Sequence, residues 1–145
     1  MQTAKQLLEG KGRQVWSVHS DATVYDALQL MAQKEIGALV VIDDGKMVGL
    51  VSERDYARKV ILQGRSSRDT AVAEIMSTKV LHITPEQTVN DCMALMTDKK
   101  IRHLPVLVND QIIGILSIGD LVKAIIAEQE FVIDQLEHYI SGSPA

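Results

Sequence analysis

Residues 36–55 read IGALVVIDDGKMVGLVSERD, and residues 101–120 read IRHLPVLVNDQIIGILSIGD, 65 positions further along the chain. The two stretches align without a gap, and the match extends upstream to Val15 and Val80 and downstream to Ile61 and Ile126. A repeat of this kind predicts that the chain consists of two copies of one structural unit. The identical pairs inside the two stretches are Ile36 and Ile101, Leu39 and Leu104, Val41 and Val106, Gly49 and Gly114, Ser52 and Ser117, and Asp55 and Asp120.

Within each copy, the spacing of apolar residues predicts the order strand, helix, strand, strand, helix. We expect an α+β fold in which two pseudo-symmetric units pack as one module, since one unit alone is small for a stable core. The first unit, residues 1–68, includes a short N-terminal helix over 3–9, and the second, residues 69–145, ends in a helical extension. The elements predicted for the two copies are strands at 15–18 and 80–83, helices from 23 to a stop at Gly37 and over 89–100, strands at 38–42, 47–51, 104–108 and 112–116, and final helices over 53–63 and from 119 onward.

The composition limits the classes of function. The 145 residues carry a net charge of −4 and only 3% aromatic residues, which disfavours binding to nucleic acid. Cys92 is the one cysteine, so an internal disulfide or a CxxC zinc site is excluded, and the four histidines show no metal spacing. No leader and no membrane-spanning stretch are predicted, so we expect a cytoplasmic protein that does not enter a membrane.

The segments 49–55 and 114–120 carry the pattern Gly-x-x-Ser-x-x-Asp where a strand ends and a helix begins. A helix N-terminus and a serine hydroxyl suit a phosphate group, and a carboxylate can accept hydrogen bonds from the two hydroxyls of a ribose. The pattern therefore indicates a nucleotide site. It is equally a helix capping box, and 23–26 and 88–91 carry the related Thr-x-x-Asp pattern, which we interpret as caps only.

The two-copy layout, the strands at 36–41 and 101–106 and the two Ser-x-x-Asp motifs resemble a tandem pair of cystathionine-β-synthase (CBS) domains, or Bateman module. Within the family, the motif segments are similar to those of stand-alone bacterial modules assigned to signal transduction. The resemblance covers almost the whole chain and implies a regulatory module rather than an enzyme. Its implied ligands are AMP, ADP, ATP, NAD or S-adenosylmethionine, with AMP, ATP or NAD expected here.

The resemblance also implies two sites in the cleft between the copies, each taking its aspartate from one copy and its adenine-facing wall from the other. One site combines Ser117 and Asp120 with Lys11, Trp16 and Gly37, and the other combines Ser52 and Asp55 with Leu81 and Ile101. Arg54, Arg102 and His103 are the candidates for phosphate binding. The first site has the fuller set of residues, so we expect Asp120 to matter more than Asp55.

Several of these residues also have simpler interpretations. Trp16 can be core or interface packing, Arg54 can lie on a solvated helix face, and Lys11, in a Gly-Lys-Gly loop, can be a plain surface charge. Cys92 occupies the position of Ala27 in the first copy, which predicts burial.

Three functions remain open from the sequence. The first is a ligand sensor that forms a homodimer and signals to an unknown client protein in trans. The second is a structural dimerisation module with an empty cleft. The third, an enzyme that uses Asp55 or Asp120 as a base, lacks any supporting nucleophile, phosphate loop or metal set. Phe131, Leu136, Tyr139 and Ile140 are expected to form one apolar stripe that covers the dimer contact or docks the client.

Overall fold

A computed structural model describes residues 2–142 of the chain and confirms the α+β class. The described residues divide into two compact units. One unit contains the residues up to Arg13, 83–106 and those from 114 onward, and the other contains 14–82 and 107–113. We call these the second-repeat unit and the first-repeat unit, after the repeat that supplies most of each. The predicted boundary between residues 68 and 69 stays a prediction about the repeats.

The elements of the first-repeat unit are β1 (Ser17–Val18), α2 (Val24–Lys34), β2 (Ala38–Asp43), β3 (Lys46–Ser52), α3 (Glu53–Tyr56) and a π-helical turn over Ala57–Ile61. Its three strands form one sheet in the order β1-β2-β3, with β1 parallel and β3 antiparallel to β2. The turn closes with the bond from the Leu62 N–H to the Ala57 carbonyl, which spans one residue more than an α-helical bond.

The clearest departures from the predicted bounds in this unit are at β1 and α2. β1 has only two residues, and α2 ends at Lys34 rather than at Gly37. The chain leaves α2 through Glu35, which adopts a left-handed conformation and donates its N–H to the carbonyls of Ala32 and Met31. The position that closes a helix in this way usually carries glycine, which is why Gly37 was the expected stop.

The second-repeat unit begins with the N-terminal helix α1 (Ala4–Lys11). Its other elements are α4 (Val89–Lys99), β4 (His103–Val108), β5 (Gln111–Ser117) and α5 (Ile118–Ser141), the tip of the β4–β5 hairpin being grouped with the first-repeat unit. The strand predicted over 80–83 is reduced to one parallel bridge between Ile83 and Val106. Lys11 is the last residue of α1, so its placement in a loop was wrong.

The two repeated glycines, Gly49 and Gly114, lie where another segment packs directly on a strand. A Cβ atom on Gly114 would lie 2.6 Å from a methyl group of Leu8, a buried residue of α1. A Cβ atom on Gly49 would lie 2.8 Å from the Met76 sulfur and 2.8 Å from the Ser77 carbonyl oxygen. A side chain at either position would therefore force the packed neighbour to move, which accounts for the glycine at the start of each motif.

The core of the first-repeat unit joins α2, β2, β3, the π-helical turn and the segment 72–75. The buried residues of this core are Val24, Ala27, Met31, Leu39, Val41, Val51, Val60, Val72 and Ile75.

Cys92, in α4 of the second-repeat unit, is also buried as predicted, and burial raises the pKa of its thiol to about 11. Among residues 2–142, no helix is both long and apolar enough to cross a lipid bilayer.

Candidate nucleotide-binding site

The second Ser-x-x-Asp motif forms the junction between β5 and α5. Ser117 is the N-cap of α5, and its hydroxyl oxygen accepts the Asp120 N–H at 3.3 Å. In return, the Oδ2 atom of Asp120 accepts the Ser117 N–H at 2.7 Å and lies 3.0 Å from the Ser117 hydroxyl. These bonds form a complete capping box, so the structural role of the motif is present whatever else it does.

Lys11 adds a feature that capping does not need. Its ammonium group donates to Asp120 Oδ2 at 2.6 Å and to the Ile115 carbonyl oxygen at 2.8 Å. The lysine therefore links the end of α1 to the β5–α5 junction, 109 positions away in the chain. Because Asp120 Oδ2 already takes the capping bonds, the same carboxylate serves both the cap and the ion pair.

The pKa of Asp120 lies below its ordinary value, although two opposing effects act on it. Burial alone would raise this pKa, because the charged form is poorly solvated there. The hydrogen bonds from Lys11 and Ser117 and the charge of Lys11 outweigh burial and lower it. Asp120 is therefore a carboxylate at neutral pH.

Replacing Lys11 by methionine tests this link through the pH dependence of stability. A carboxyl group whose pKa is lower in the folded state stabilises the fold above its unfolded pKa, and this contribution is lost as the pH falls through the folded pKa. Lys11→Met should therefore cost about 1 kcal/mol or less at neutral pH, since the pair is only partly buried. Measured by urea unfolding, the difference from the wild type should shrink as the pH falls below 3.8, the ordinary pKa of an aspartate, and disappear once the pH has passed the lowered pKa of Asp120.

Lys5→Met provides the control, because Lys5 is an exposed lysine of the same helix α1. It removes the same charge without touching Asp120. An equal and pH-independent loss for both variants would show that the Lys11–Asp120 pair has no specific effect on stability.

Arg102 and His103 stand at the start of β4, next to this junction. The Arg102 carbonyl oxygen accepts the N–H of Ile118, the first residue of α5, at 2.9 Å. Burial lowers the pKa of His103, the charges of Lys11 and Arg102 lower it further, and Asp120 opposes them. The structure thus places Lys11 and His103 close enough to Asp120 for their charges to act on one another at a helix N-terminus, with Arg102 next to His103 in the chain. That these residues bind a nucleotide stays a prediction.

The first Ser-x-x-Asp motif has the same backbone design. Ser52 donates its N–H to Asp55 Oδ2 at 2.9 Å and accepts the Asp55 N–H at 3.2 Å. Gly37 corresponds to Arg102, because its carbonyl oxygen accepts the N–H of the first residue of the following helix, Glu53, at 3.0 Å. The lysine comes from elsewhere: Lys59 Nζ lies 3.5 Å from Asp55 Oδ1 and 2.9 Å from the Ile75 carbonyl oxygen.

Lys59 was missed by the sequence analysis. The signal was available, because Asp55 and Lys59 are four residues apart on a predicted helix, a spacing that brings side chains together. In both units, then, the motif aspartate pairs with a lysine that also binds a backbone carbonyl, although the two lysines are not equivalent in the repeat.

The Thr-x-x-Asp motifs are caps, as interpreted from the sequence. The hydroxyl oxygens of Thr23 and Thr88 accept the N–H groups of Asp26 and Asp91, each at 3.1 Å. Within residues 2–142, neither of these two aspartates forms an ion pair. The pairing with lysine therefore distinguishes the Ser-x-x-Asp motifs from simple caps.

The structure describes the remaining predicted residues within their own units. Trp16 packs against the first-repeat core, and the ammonium group of Lys34 lies 4.1 Å from the centre of its ring, a cation–π contact that the sequence analysis missed. Gly37 lines a pocket of about 310 Å³ in the first-repeat unit, together with Glu53 and one face of α2. Leu81 and Arg54 are exposed, and Ile101 is half-buried. Their predicted combination into two shared sites stays a prediction.

Metal binding finds no support in the described part of the chain, because residues 2–142 contain no group of three or more histidine, cysteine, aspartate or glutamate side chains placed to hold an ion. The arrangement at Asp120 is instead one of hydrogen-bond donors and fixed positive charge. Such a set suits an anion, and the carboxylate suits a neighbouring hydroxyl donor.

The family model for the CBS domain matches residues 12–61 and again residues 72–127. The chain belongs to the CBS-domain family. It is 42% identical to the mitochondrial CBS domain-containing protein CBSX3 of Arabidopsis thaliana, over 97% of this chain and 72% of that protein. The tandem CBS pair that the sequence resembled is thus confirmed.

Solved structures agree with this assignment. A protein with CBS domains from Burkholderia ambifaria MC40-6 is 52% identical, with a TM-score of 0.85 over 88% of this chain and 96% of that chain. The CBS domain pair of protein MJ0100, solved in complex with 5′-methylthioadenosine and S-adenosyl-L-methionine, shares the fold. Its TM-score is 0.79 at 22% identity, over 88% of this chain and 98% of that chain.

Proposed function

We propose that this CBS pair is a regulatory module that binds an adenine nucleotide, AMP, ATP or NAD, at the cluster around Asp120 and signals its occupancy to a partner protein. The observation that carries the proposal is the ion pair between Lys11 and Asp120 at the N-terminus of α5, with Arg102 and His103 beside it. A helix cap alone requires none of these three basic residues. The adenosine-type ligands bound by the CBS pair of MJ0100 support the class of ligand.

The ribose and the phosphate of a nucleotide each have matching groups in the cluster. The ribose hydroxyls donate to the Asp120 carboxylate, and the phosphate accepts from Lys11, Arg102 and His103. Since the pKa of His103 is lowered, this histidine is largely neutral near pH 7, and a phosphate bound next to it favours its protonation. The bound anion also lowers the repulsion among the three basic groups.

The same geometry provides a route for a signal. In the free protein, Lys11 links α1 to the start of α5 through Asp120. A nucleotide that occupies both side chains replaces this direct link by contacts through the ligand. The position of α1 then differs between the free and bound states, and a partner that contacts α1 distinguishes them.

Thermal unfolding of the wild-type protein with AMP, ATP, NAD and S-adenosylmethionine tests the proposal. A ligand present at a hundred times its Kd stabilises the native state by about 2.7 kcal/mol. For a chain of this length that corresponds to an increase in Tm of about 5–10 °C. GMP is the control that tests whether the adenine base is required, and inorganic phosphate is the control that tests whether the ribose is required. If none of the four adenine ligands raises Tm at millimolar concentration, the nucleotide-sensing proposal is wrong and the dimerisation module takes its place.

A further inference from the structure

The C-terminal half of α5 carries apolar side chains that nothing in the described chain covers. The CBS family model ends at residue 127, whereas α5 continues without a break to Ser141. The extension is helical, as predicted. The prediction that Phe131, Leu136, Tyr139 and Ile140 form one apolar stripe on it was wrong. At 3.6 residues per turn, Phe131 lies about 140° around the helix from Leu136 and about 180° from Ile140, so these residues do not share a face.

A different row of residues does share one face. Positions 122, 126, 129, 133, 136 and 140 alternate in steps of four and three, which is the a/d spacing of a coiled coil. All of these residues but Gln129 are aliphatic. The a positions, 126, 133 and 140, all carry isoleucine, and the d positions are 122, 129 and 136. The exposed fractions of the five aliphatic residues are 40% for Val122, 49% for Ile126, 55% for Ile133, 55% for Leu136 and 82% for Ile140.

We propose that this seam, Val122 to Ile140, pairs with the same seam of a second copy of the chain, with the two α5 helices antiparallel. A two-fold axis at residue 131 places each a residue opposite a d residue, so that Ile126 faces Leu136 and Ile140 faces Val122 of the partner. Five of the six seam residues are aliphatic, as the a and d positions of a coiled coil require. The pairing is independent of nucleotide binding.

The residues that flank the seam favour the antiparallel direction. One flank is apolar, with Ile125, Val132 and Tyr139, and the other carries Lys123, Glu130 and Glu137. Antiparallel pairing places like flank against like flank, so the apolar residues bury one another and Lys123 faces Glu137 of the partner. Parallel pairing would instead place Ile125 and Val132 against the carboxylates of Glu130 and Glu137. The unfavourable antiparallel pairs are Glu130 with its own copy at the axis and Gln129 with Ile133 of the partner.

Disulfide cross-linking of the full chain tests both the pairing and its direction. Single cysteines replace Ile126 or Leu136 in a protein whose native thiol is removed by Cys92→Ala. In the antiparallel pair, each cysteine is about 15 Å from its own copy along the axis, at 1.5 Å per residue, too far for a disulfide. We expect neither variant to cross-link alone under mild oxidation, and the equimolar mixture to give a covalent dimer as the main product.

Two further variants show whether the seam itself is responsible. Ile133→Glu, added to both cysteine proteins, should reduce the yield of covalent dimer at least tenfold, whereas Phe131→Glu, at an equally exposed position on the opposite face, should leave it unchanged. Circular dichroism checks that both remain helical. Cross-linking of each variant alone would show a parallel pair, and no cross-linking in any combination would show that the seam does not pair with a second copy; either result overturns the proposal.

Discussion

Replacing Asp120 by alanine should abolish the increase in Tm that an adenine nucleotide produces at the second-repeat site, from several degrees to none. The variant removes the acceptor for the ribose hydroxyls and leaves Lys11 without the carboxylate that holds it at 2.6 Å. It also removes one half of a capping box, for which we expect a loss of stability of about 1 kcal/mol in the absence of ligand. Thermal unfolding with and without nucleotide separates the two effects.

The chain contains a matched control for the capping effect. Asp91 accepts the Thr88 N–H at 3.1 Å in the same arrangement, in the same unit, at the start of α4. Asp91→Ala should therefore cost a similar amount of stability and keep the full response to nucleotide. Equal ligand responses in the two variants would contradict the proposed site and leave Asp120 with a capping role only. If a response persists in Asp120→Ala and disappears when Asp55→Ala is added, the first motif holds a second site.

The order of the elements followed from the sequence because both of its signals are local. The first signal is the repeat: helix α2 and strands β2 and β3 recur 65 positions later as α4, β4 and β5. The second is the capping pattern: a threonine or serine with an aspartate three residues later marks the start of α2, α3, α4 and α5. The stop of α2 did not follow. Glu35 and its counterpart Lys100 both take up the left-handed conformation at the helix end, which sequence rules assign to glycine.

The site was only partly accessible to the same reasoning. Capping geometry can be derived from a four-residue pattern, but the contact between Lys11 and Asp120 joins residues far apart in the chain and depends on how α1 packs on β5. The family resemblance, rather than periodicity, placed Lys11 in the site. The π-helical turn after α3 also has no clear signature, because it differs from an α-helix by one residue per turn.

Replacing Gly49 by alanine should destabilise the protein by about 1–3 kcal/mol, the usual cost of overpacking. The new methyl group would lie 2.8 Å from the Ser77 carbonyl oxygen, which is backbone. That carbonyl accepts the Leu50 N–H at 3.0 Å, and the Ser77 N–H donates to the Leu50 carbonyl at 2.9 Å. Relief of the clash therefore strains or breaks both bonds of the bridge between Ser77 and Leu50 of β3.

Gly114→Ala is the matched substitution in the other repeat. There the new methyl group meets only the side-chain carbons of Leu8, which can change rotamer, although Leu8 is fully buried. Alanine restricts the unfolded chain equally in the two variants, so this contribution cancels when their unfolding free energies in urea are compared. We expect Gly49→Ala to be the more destabilising, and Leu8→Val to recover part of the loss in Gly114→Ala. A greater loss for Gly114→Ala would mean that the rigidity of the buried Leu8 side chain, rather than the backbone bridge at Ser77, sets the cost of a side chain at the repeated glycine.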